Sequence, residues 1–204
     1  AVKAPVAAVA LRCSRSRNSV IVGRVSTCMV CLMASLRGAL HEKFPVTVDL
    51  SDLVAKLNDF VYTSSDSHCF ISFFLGVIDR RKGELAYVNA GHNPPVLVGA
   101  KGRPASLEST GLCLGMFPAQ AYGEKTVALK PGDVLCLYTD GIVESRKGKE
   151  EEEFGDGRLV DRIRESGALS AGEIRDRIYE DVFSFTGCAE AGDDMTLVII
   201  KRKP

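Results

Sequence analysis

The hydrophobic positions near the start of this chain follow a helical period. Apolar side chains recur at helical spacing over residues 29–42, and they do so again over residues 50–61 behind a capping candidate at Asp49 or Ser51. Residues 6–11 form a short candidate strand before them. The pattern therefore predicts two successive amphipathic helices in the first third of the chain.

A strand period replaces the helical one in the middle of the chain. Residues 69–78 are a β-rich apolar run, residues 79–83 have turn composition, and alternation resumes at 84–89, which together predict a β-hairpin. Further strands are predicted at residues 96–98, 126–129, 133–138 and 196–200.

Helical spacing returns near the end of the chain. A charged loop at residues 146–156 precedes helical patterns at 159–165 and 174–185. Because the strands are grouped together and the helices lie before and after them, the order predicts an α+β layered domain and excludes alternating βαβ units.

Composition narrows the class of protein. A chain of 204 residues that is 46% hydrophobic has the size of one globular domain. Lys plus Arg and Asp plus Glu each number 26, so nothing in the charge indicates nucleic acid or a membrane surface as a partner. No apolar stretch approaches the length of a membrane helix, and we expect a cytoplasmic protein. The seven cysteines lack a disulfide framework, and Cys136 lies in an apolar run, so we expect reduced thiols.

Acidic residues lie at the ends of two predicted strands. Asp140 and Gly141 follow the strand 133–138, and Asp193 and Asp194 precede the last strand. If these strands are antiparallel neighbours, the acids meet at one edge, where their repulsion favours a hard divalent cation such as Mg²⁺ or Mn²⁺. Taken singly, each acid is equally typical of a turn or an edge strand.

Four ordered motifs resemble the SpoIIE/RsbU branch of the PPM-type serine/threonine phosphatases. Their order and spacing match from about residue 29 to residue 202, which is far more specific than any single motif. The motifs lie at residues 73–95, 131–144, 153–155 and 193–198.

The resemblance implies a fold, an activity and a site. The implied fold is a sandwich of two mainly antiparallel sheets flanked by helices, and the implied activity is removal of phosphate from Ser or Thr of proteins. Asp140 and Asp193 are then catalytic metal ligands, Gly141 belongs to the metal site, and Asp194 is an auxiliary ligand. Two Mn²⁺ or Mg²⁺ ions would activate a bridging water for in-line attack on phosphorus.

The first 28 residues depart from the family pattern. The family has an early Asp-Val-Ser-Gly segment whose Asp bridges both metals, but alignment here puts Arg24 or Ile21 in that position. No Asp precedes Asp49, and residues 1–48 contain seven Lys and Arg against the single acid Glu42. We therefore treat residues 1–28 as an atypical N-terminal segment of the same domain as residues 29–204, the phosphatase domain, and we expect it to retain one ion or none of the family's two.

Three interpretations follow from the resemblance. The first is a phosphatase that acts on a phosphorylated anti-anti-sigma (STAS-type) regulator. The second is a degenerate domain that binds the regulator without catalysis. The third is that the segment before residue 29 is a mis-translated or rearranged version of the family's first metal-ligand strand. Two further residues or segments each have two possible roles. His92 contacts either substrate or backbone, and the loop 146–153 is either a substrate-facing flap or a solvated loop.

Overall fold

A computed structural model describes residues 3–10 as a strand, together with residues 49–64, 70–99, 104–147, 152–187 and 194–203. These residues fall into two compact units, one drawn from 1–92 and 109–128 and the other from 93–108 and 129–204. The predicted helix 29–42 and the boundary at residue 28 lie outside the described residues and stay predictions.

Most of the described strands are grouped in the middle of the chain, and the helices lie before and after them, in an order close to the predicted one. The strands are β1 (Lys3–Ala10), β2 (Ser72–Asp79), β3 (Glu84–Ala90), β4 (Val96–Val98), β5 (Ala105–Ser106), β6 (Lys125–Ala128), β7 (Val134–Tyr138) and β8 (Leu197–Lys201). The helices are α1 (Leu50–Ser64), α2 (Asp140–Val143), α3 (Gly155–Glu165) and α4 (Ala171–Thr186).

The first unit contains a four-stranded antiparallel sheet in the order β1-β2-β3-β6. Strands β2 and β3 form the predicted hairpin. Its turn closes with the Gly83 N–H donating to the Asp79 carbonyl at 2.8 Å, and Gly83 has a φ of 67°, a conformation that glycine adopts without steric cost. The Asp79 carboxylate accepts from the N–H groups of Arg81 and Lys82, which stabilises the turn.

Helix α1 covers one face of this sheet. Its apolar residues recur at helical spacing, so they form a continuous buried stripe. The cluster joins Leu50, Leu53, Val54, Leu57 and Val61 of α1 to Ile71, Phe73, Leu75, Val88 and Ala90 of the sheet region.

A buried asparagine on α1 anchors the irregular segment before β6. Asn58 is fully buried, and its carbonyl oxygen accepts from the Gly115 N–H at 2.9 Å and from the Tyr122 hydroxyl at 3.2 Å. Its amide nitrogen donates to the Phe117 carbonyl at 2.9 Å. Because buried backbone polar groups need partners, this one side chain stabilises the path of residues 115–122.

The second unit contains a four-stranded antiparallel sheet in the order β5-β4-β7-β8. All five residues of β7 are buried. Alternate β7 side chains, Val134, Cys136 and Tyr138, pack in a cluster with residues of α3 and α4 that include Leu159, Ile163, Ile174, Ile178 and Val182. Cys136 is fully buried in this cluster, which confirms that it packs as a small apolar side chain, and burial raises the pKa of its thiol to about 12.

The predicted fold class is confirmed, because the structure has two antiparallel sheets together with helices. The sequence pattern did not indicate the two-residue strand β5 or the four-residue helix α2. No helix among the described residues is long and apolar enough to cross a membrane.

We expect Asn58→Ala to lower the free energy of unfolding of the chain by about 3 kcal/mol, because it leaves several buried polar groups unpaired and opens a void. Urea unfolding monitored by circular dichroism measures the change. The control is Tyr122→Phe, which removes a single hydrogen bond and should cost about 1 kcal/mol. Equal losses for the two variants would contradict the anchoring role of Asn58.

Candidate functional site

Strands β7 and β8 bring two acidic segments to one edge of the second sheet. The two strands pair antiparallel, with Tyr138 opposite Leu197 as the last pair. Asp140 begins α2 directly after the end of β7, and Asp194 lies shortly before β8 begins. The expected antiparallel pairing is therefore confirmed, and both residues lie at the same edge of the sheet.

Thr139 joins the two segments beyond the last pair of the strand ladder. Its N–H donates to the Thr196 carbonyl at 3.1 Å, and the Thr196 N–H donates to the Thr139 hydroxyl at 2.9 Å. The same hydroxyl donates to the Asp194 carbonyl at 3.1 Å. The chain before β8 is thus hydrogen-bonded to the residue that immediately precedes Asp140.

Gly141 permits the closest approach between the segments. A Cβ atom added to Gly141 would lie 2.6 Å from the Asp194 carbonyl oxygen and 3.1 Å from its carbonyl carbon. Real Cβ atoms essentially never come within 3.0 Å of another atom in this way, and a backbone neighbour cannot rotate aside. Gly141 therefore permits the close approach of the Asp194 main chain, and its assignment to a metal site stays a prediction.

The Asp140 carboxylate lies at the beginning of α2. Its Oδ1 accepts from the Gly141 N–H at 3.0 Å, and its main-chain carbonyl accepts from the Glu144 N–H at 2.8 Å. The Ser145 hydroxyl donates to the Gly141 carbonyl at 2.6 Å, so the short helix is stabilised at both ends. These bonds limit the movement of the Asp140 main chain.

The donors that the two segments offer are oxygen atoms. Asp140 and Asp194 each contribute a carboxylate, and carboxylate oxygens suit Mg²⁺ or Mn²⁺ better than softer metals. Within the described part of the chain, no three His, Cys, Asp or Glu side chains come together as a metal-binding group. Asp193 and residues 11–48 lie outside the described residues.

A buried tyrosine connects the end of β7 to α3. The Tyr138 hydroxyl donates to Asp156 Oδ1 at 2.7 Å. Burial, and then the hydrogen bond to Asp156, raise the pKa of Tyr138 well above its usual value, so the phenol stays protonated and remains a donor. Tyr138 therefore attaches the strand end that carries Asp140 to the first turn of α3.

The predicted charged loop begins and ends as a two-stranded ribbon. The Phe154 N–H donates to the Ser145 carbonyl at 2.8 Å, and Arg146 forms an exposed ion pair with Glu153 at 2.8 Å. Residues 148–151 lie outside the described residues. The role of this loop as a substrate-facing flap stays a prediction.

His92 lies in the first unit and is buried. Its Nδ1 is 3.5 Å from the Ser72 hydroxyl, and its N–H donates to the Asn89 side-chain oxygen at 2.8 Å. These contacts are of the structural kind, with a side-chain amide bonding the backbone of the loop. A contact between His92 and substrate stays untested.

Thr139 and Tyr138 are the residues of this site that sequence reasoning missed. A signal was present, because Thr139 stands between a buried strand and an Asp-Gly pair, where a hydroxyl residue is typical of a helix N-cap. That signal predicts a hydrogen bond from the first turn of α2 to the Thr139 hydroxyl. In the structure, the hydroxyl forms hydrogen bonds with the segment before β8 instead.

The amino-acid sequence of this chain is similar to those of known proteins. The sequence model of the family described as Stage II sporulation protein E (SpoIIE) matches residues 29–203. Protein IcfG of Synechocystis sp. is 32% identical over 163 residues, 79% of this chain and 25% of that protein. The phosphoserine phosphatase RsbU of Bacillus subtilis is 27% identical over 184 residues, 90% of this chain and 54% of that protein.

Structure comparison gives the same fold. The SiaA-PP2C domain of Pseudomonas aeruginosa superposes with a TM-score of 0.70 at 19% identity, over 83% of this chain and 67% of that one. At this identity the similarity shows the fold alone. The chain spans 25% and 54% of the lengths of the two curated relatives described above.

We expect Gly141→Ala to destabilise the chain by about 1–3 kcal/mol, because its methyl group would collide with the Asp194 carbonyl. The matched control is Gly157→Ala in α3, where an added Cβ meets no described atom within 4 Å. That variant should be neutral or stabilising by up to about 1 kcal/mol, owing to the helix propensity of alanine. Thermal unfolding of both variants makes the comparison, and destabilisation by both would contradict the close-approach argument.

Proposed function

The chain belongs to the SpoIIE/RsbU branch of the PPM-type phosphatases, and from this we propose that it is a metal-dependent phosphatase of phosphoserine and phosphothreonine in proteins. The family match covers residues 29–203. The observation that carries the proposal is the hydrogen-bonded and closely packed edge formed by Thr139–Gly141 and Asp194–Thr196. It holds two acidic segments together at the ends of neighbouring strands.

The oxygen donors at this edge fit Mg²⁺ or Mn²⁺. Asp140, Asp193 and Asp194 would hold the cation, and the glycine at position 141 leaves space for the close approach of the second segment. When bound, the cation supplies Lewis-acid chemistry that activates water and neutralises charge on the phosphoryl oxygens. RsbX, a protein of similar fold at a TM-score of 0.60 and 13% identity, has a solved structure in complex with magnesium.

The chain itself provides position and electrostatics. Asp140 presents its carboxylate from the beginning of α2, and the Tyr138–Asp156 bond attaches the preceding strand end to α3. Converging carboxylates repel one another when no cation is present, which favours binding of a divalent ion over a neutral ligand. Phosphoryl transfer needs this kind of positioning more than covalent participation by the protein.

The finer proposal concerns the substrate. We propose a phosphorylated STAS-type regulator, because the motifs of this chain resemble a branch whose members act on such regulators. The likeness to the phosphoserine phosphatase RsbU supports the phosphatase activity on which this choice depends. Localisation in the cytoplasm, where such regulators act, belongs to the same proposal.

A second candidate function is binding without turnover. The family's bridging aspartate has Arg24 or Ile21 in its place, and no Asp precedes Asp49. An arginine there would stay charged at any physiological pH and would compete with a cation for the carboxylates. A domain altered in this way would keep its surface for the regulator and lose most metal affinity.

We expect the unmodified chain to show weak Mn²⁺-dependent hydrolysis of a generic phosphate ester. Asp140→Asn should abolish it, while rebuilding residues 21–28 to the family pattern should raise it by roughly 10²-fold or more, because a bridging ligand stabilises both ions. Asp161→Asn, on the exposed surface of α3, is the matched control and should keep the starting activity. Rapid turnover that rebuilding does not improve would show that the metal site forms without the family's first aspartate.

The two candidate functions differ in their dependence on metal. A phosphorylated STAS domain should lose phosphate when incubated with the chain and Mn²⁺, and mass spectrometry detects the loss. Stable binding of the regulator in EDTA, with no dephosphorylation by the unmodified or the rebuilt chain, would favour the binding module instead. Absence of both binding and dephosphorylation would contradict the proposed partner.

A further inference from the structure

The Thr139 hydroxyl does not cap α2, although Thr139 occupies the N-cap position of that helix. Thr139 is the N-cap residue of α2, with extended backbone angles, yet its side chain makes no hydrogen bond to the described first turn of that helix. An N-cap threonine ordinarily accepts from an N–H group in the first turn. Here the hydroxyl bonds to the segment before β8 instead.

The geometry of the strand end explains this use. The Thr139 carbonyl accepts from the Ile142 N–H at 3.1 Å, because the chain turns into α2 at this point. In a regular antiparallel ladder, Thr139 and Thr196 would exchange two hydrogen bonds. The first of these is present, because the Thr139 N–H donates to the Thr196 carbonyl. The second is not formed, because the Thr139 carbonyl accepts from Ile142 and so does not accept from the Thr196 N–H. The hydroxyl replaces the missing acceptor at 2.9 Å, so the pairing extends beyond Tyr138.

The same hydroxyl also restrains the acidic segment. It donates its proton to the Asp194 carbonyl at 3.1 Å, and this is the carbonyl that packs against Gly141. Because a hydroxyl has one proton and two lone pairs, it can accept from Thr196 and donate to Asp194 together. One side chain thus restrains the main chain on both sides of Met195.

We propose that Thr139 is a positioning residue, whose hydroxyl sets the separation of the Asp140 segment from the Asp194 segment and thereby sets cation affinity. The inference rests on the proposed function, since it assumes that these acids hold a cation. Residues that orient metal ligands without touching the ion commonly change affinity by roughly 10–100-fold when they are replaced.

The test compares Thr139→Val, which keeps the shape and removes the hydroxyl, with Thr139→Ser, which keeps the hydroxyl. Mn²⁺ binding is measured directly by electron paramagnetic resonance of the free ion. We expect a dissociation constant raised by roughly 10-fold or more in the valine variant and close to that of the unmodified chain in the serine variant. Thr63→Val is the control, because the Thr63 hydroxyl bonds only carbonyls within α1 among the described residues.

A second measurement needs no metal. Amide hydrogen exchange of Thr196 in EDTA should be faster by roughly tenfold in Thr139→Val and nearly unchanged in Thr139→Ser, because only the first loses the acceptor. Should the valine variant not fold, Thr139→Ala gives the same comparison with serine.

The outcomes separate the two proposals. Faster exchange and weaker Mn²⁺ binding in the valine variant alone would support the positioning role. Equal Mn²⁺ affinity in the valine and serine variants would overturn it. If the unmodified chain bound no Mn²⁺, the proposed function would fail. The Thr196 exchange rates in EDTA would then show whether the Thr139 hydroxyl still joins the two segments, since only a faster rate in the valine variant supports that contact.

Discussion

The antiparallel pairing of β7 with β8 is the interaction on which the candidate site depends. Asp140 follows the end of β7 and Asp194 precedes the beginning of β8, so the pairing register decides whether the two residues lie at one edge. A shift of one residue would move every β8 side chain to the opposite face of the sheet and would place a different residue beside Thr139. The packing of β7 against α3 and α4 stabilises that register through alternate buried side chains. Core packing of the second unit therefore determines the geometry of the carboxylates.

Close packing at the edge then limits which residues the site accepts. Gly141 is required by space, since the Asp194 carbonyl occupies the position of a Cβ. Thr139 is required by hydrogen bonding, since the turn into α2 removes its carbonyl from the ladder. The two constraints act on the same short stretch of chain and hold acidic groups that would otherwise repel one another.

Periodicity in the sequence predicted the hairpin of β2 and β3, the helix α1 and the strands β7 and β8, because each element has a clear pattern of apolar residues. The pairing of β7 with β8 was a condition of the site prediction, and the structure confirms it. The irregular segment at residues 110–123 has no such pattern. Its path depends on Asn58, a polar residue on the apolar face of α1 whose partners lie more than fifty positions away. The sequence also did not predict that the Thr139 hydroxyl, in place of its carbonyl, accepts from the Thr196 N–H. This bond depends on the position at which β7 ends and α2 begins. The assignment of Asp193 stays a prediction, since it lies outside the described residues.

The central claim is that this edge binds a cation through Asp140 and the segment before β8. Crystals soaked in Mn²⁺ test it most directly, because manganese is located by its anomalous scattering. The account predicts an anomalous peak beside the Asp140 carboxylate and the Asp193–Asp194 segment, and no peak there in crystals of Asp140→Asn. An unmodified chain that binds Mn²⁺ in solution but shows its anomalous peak away from Asp140 would contradict the account.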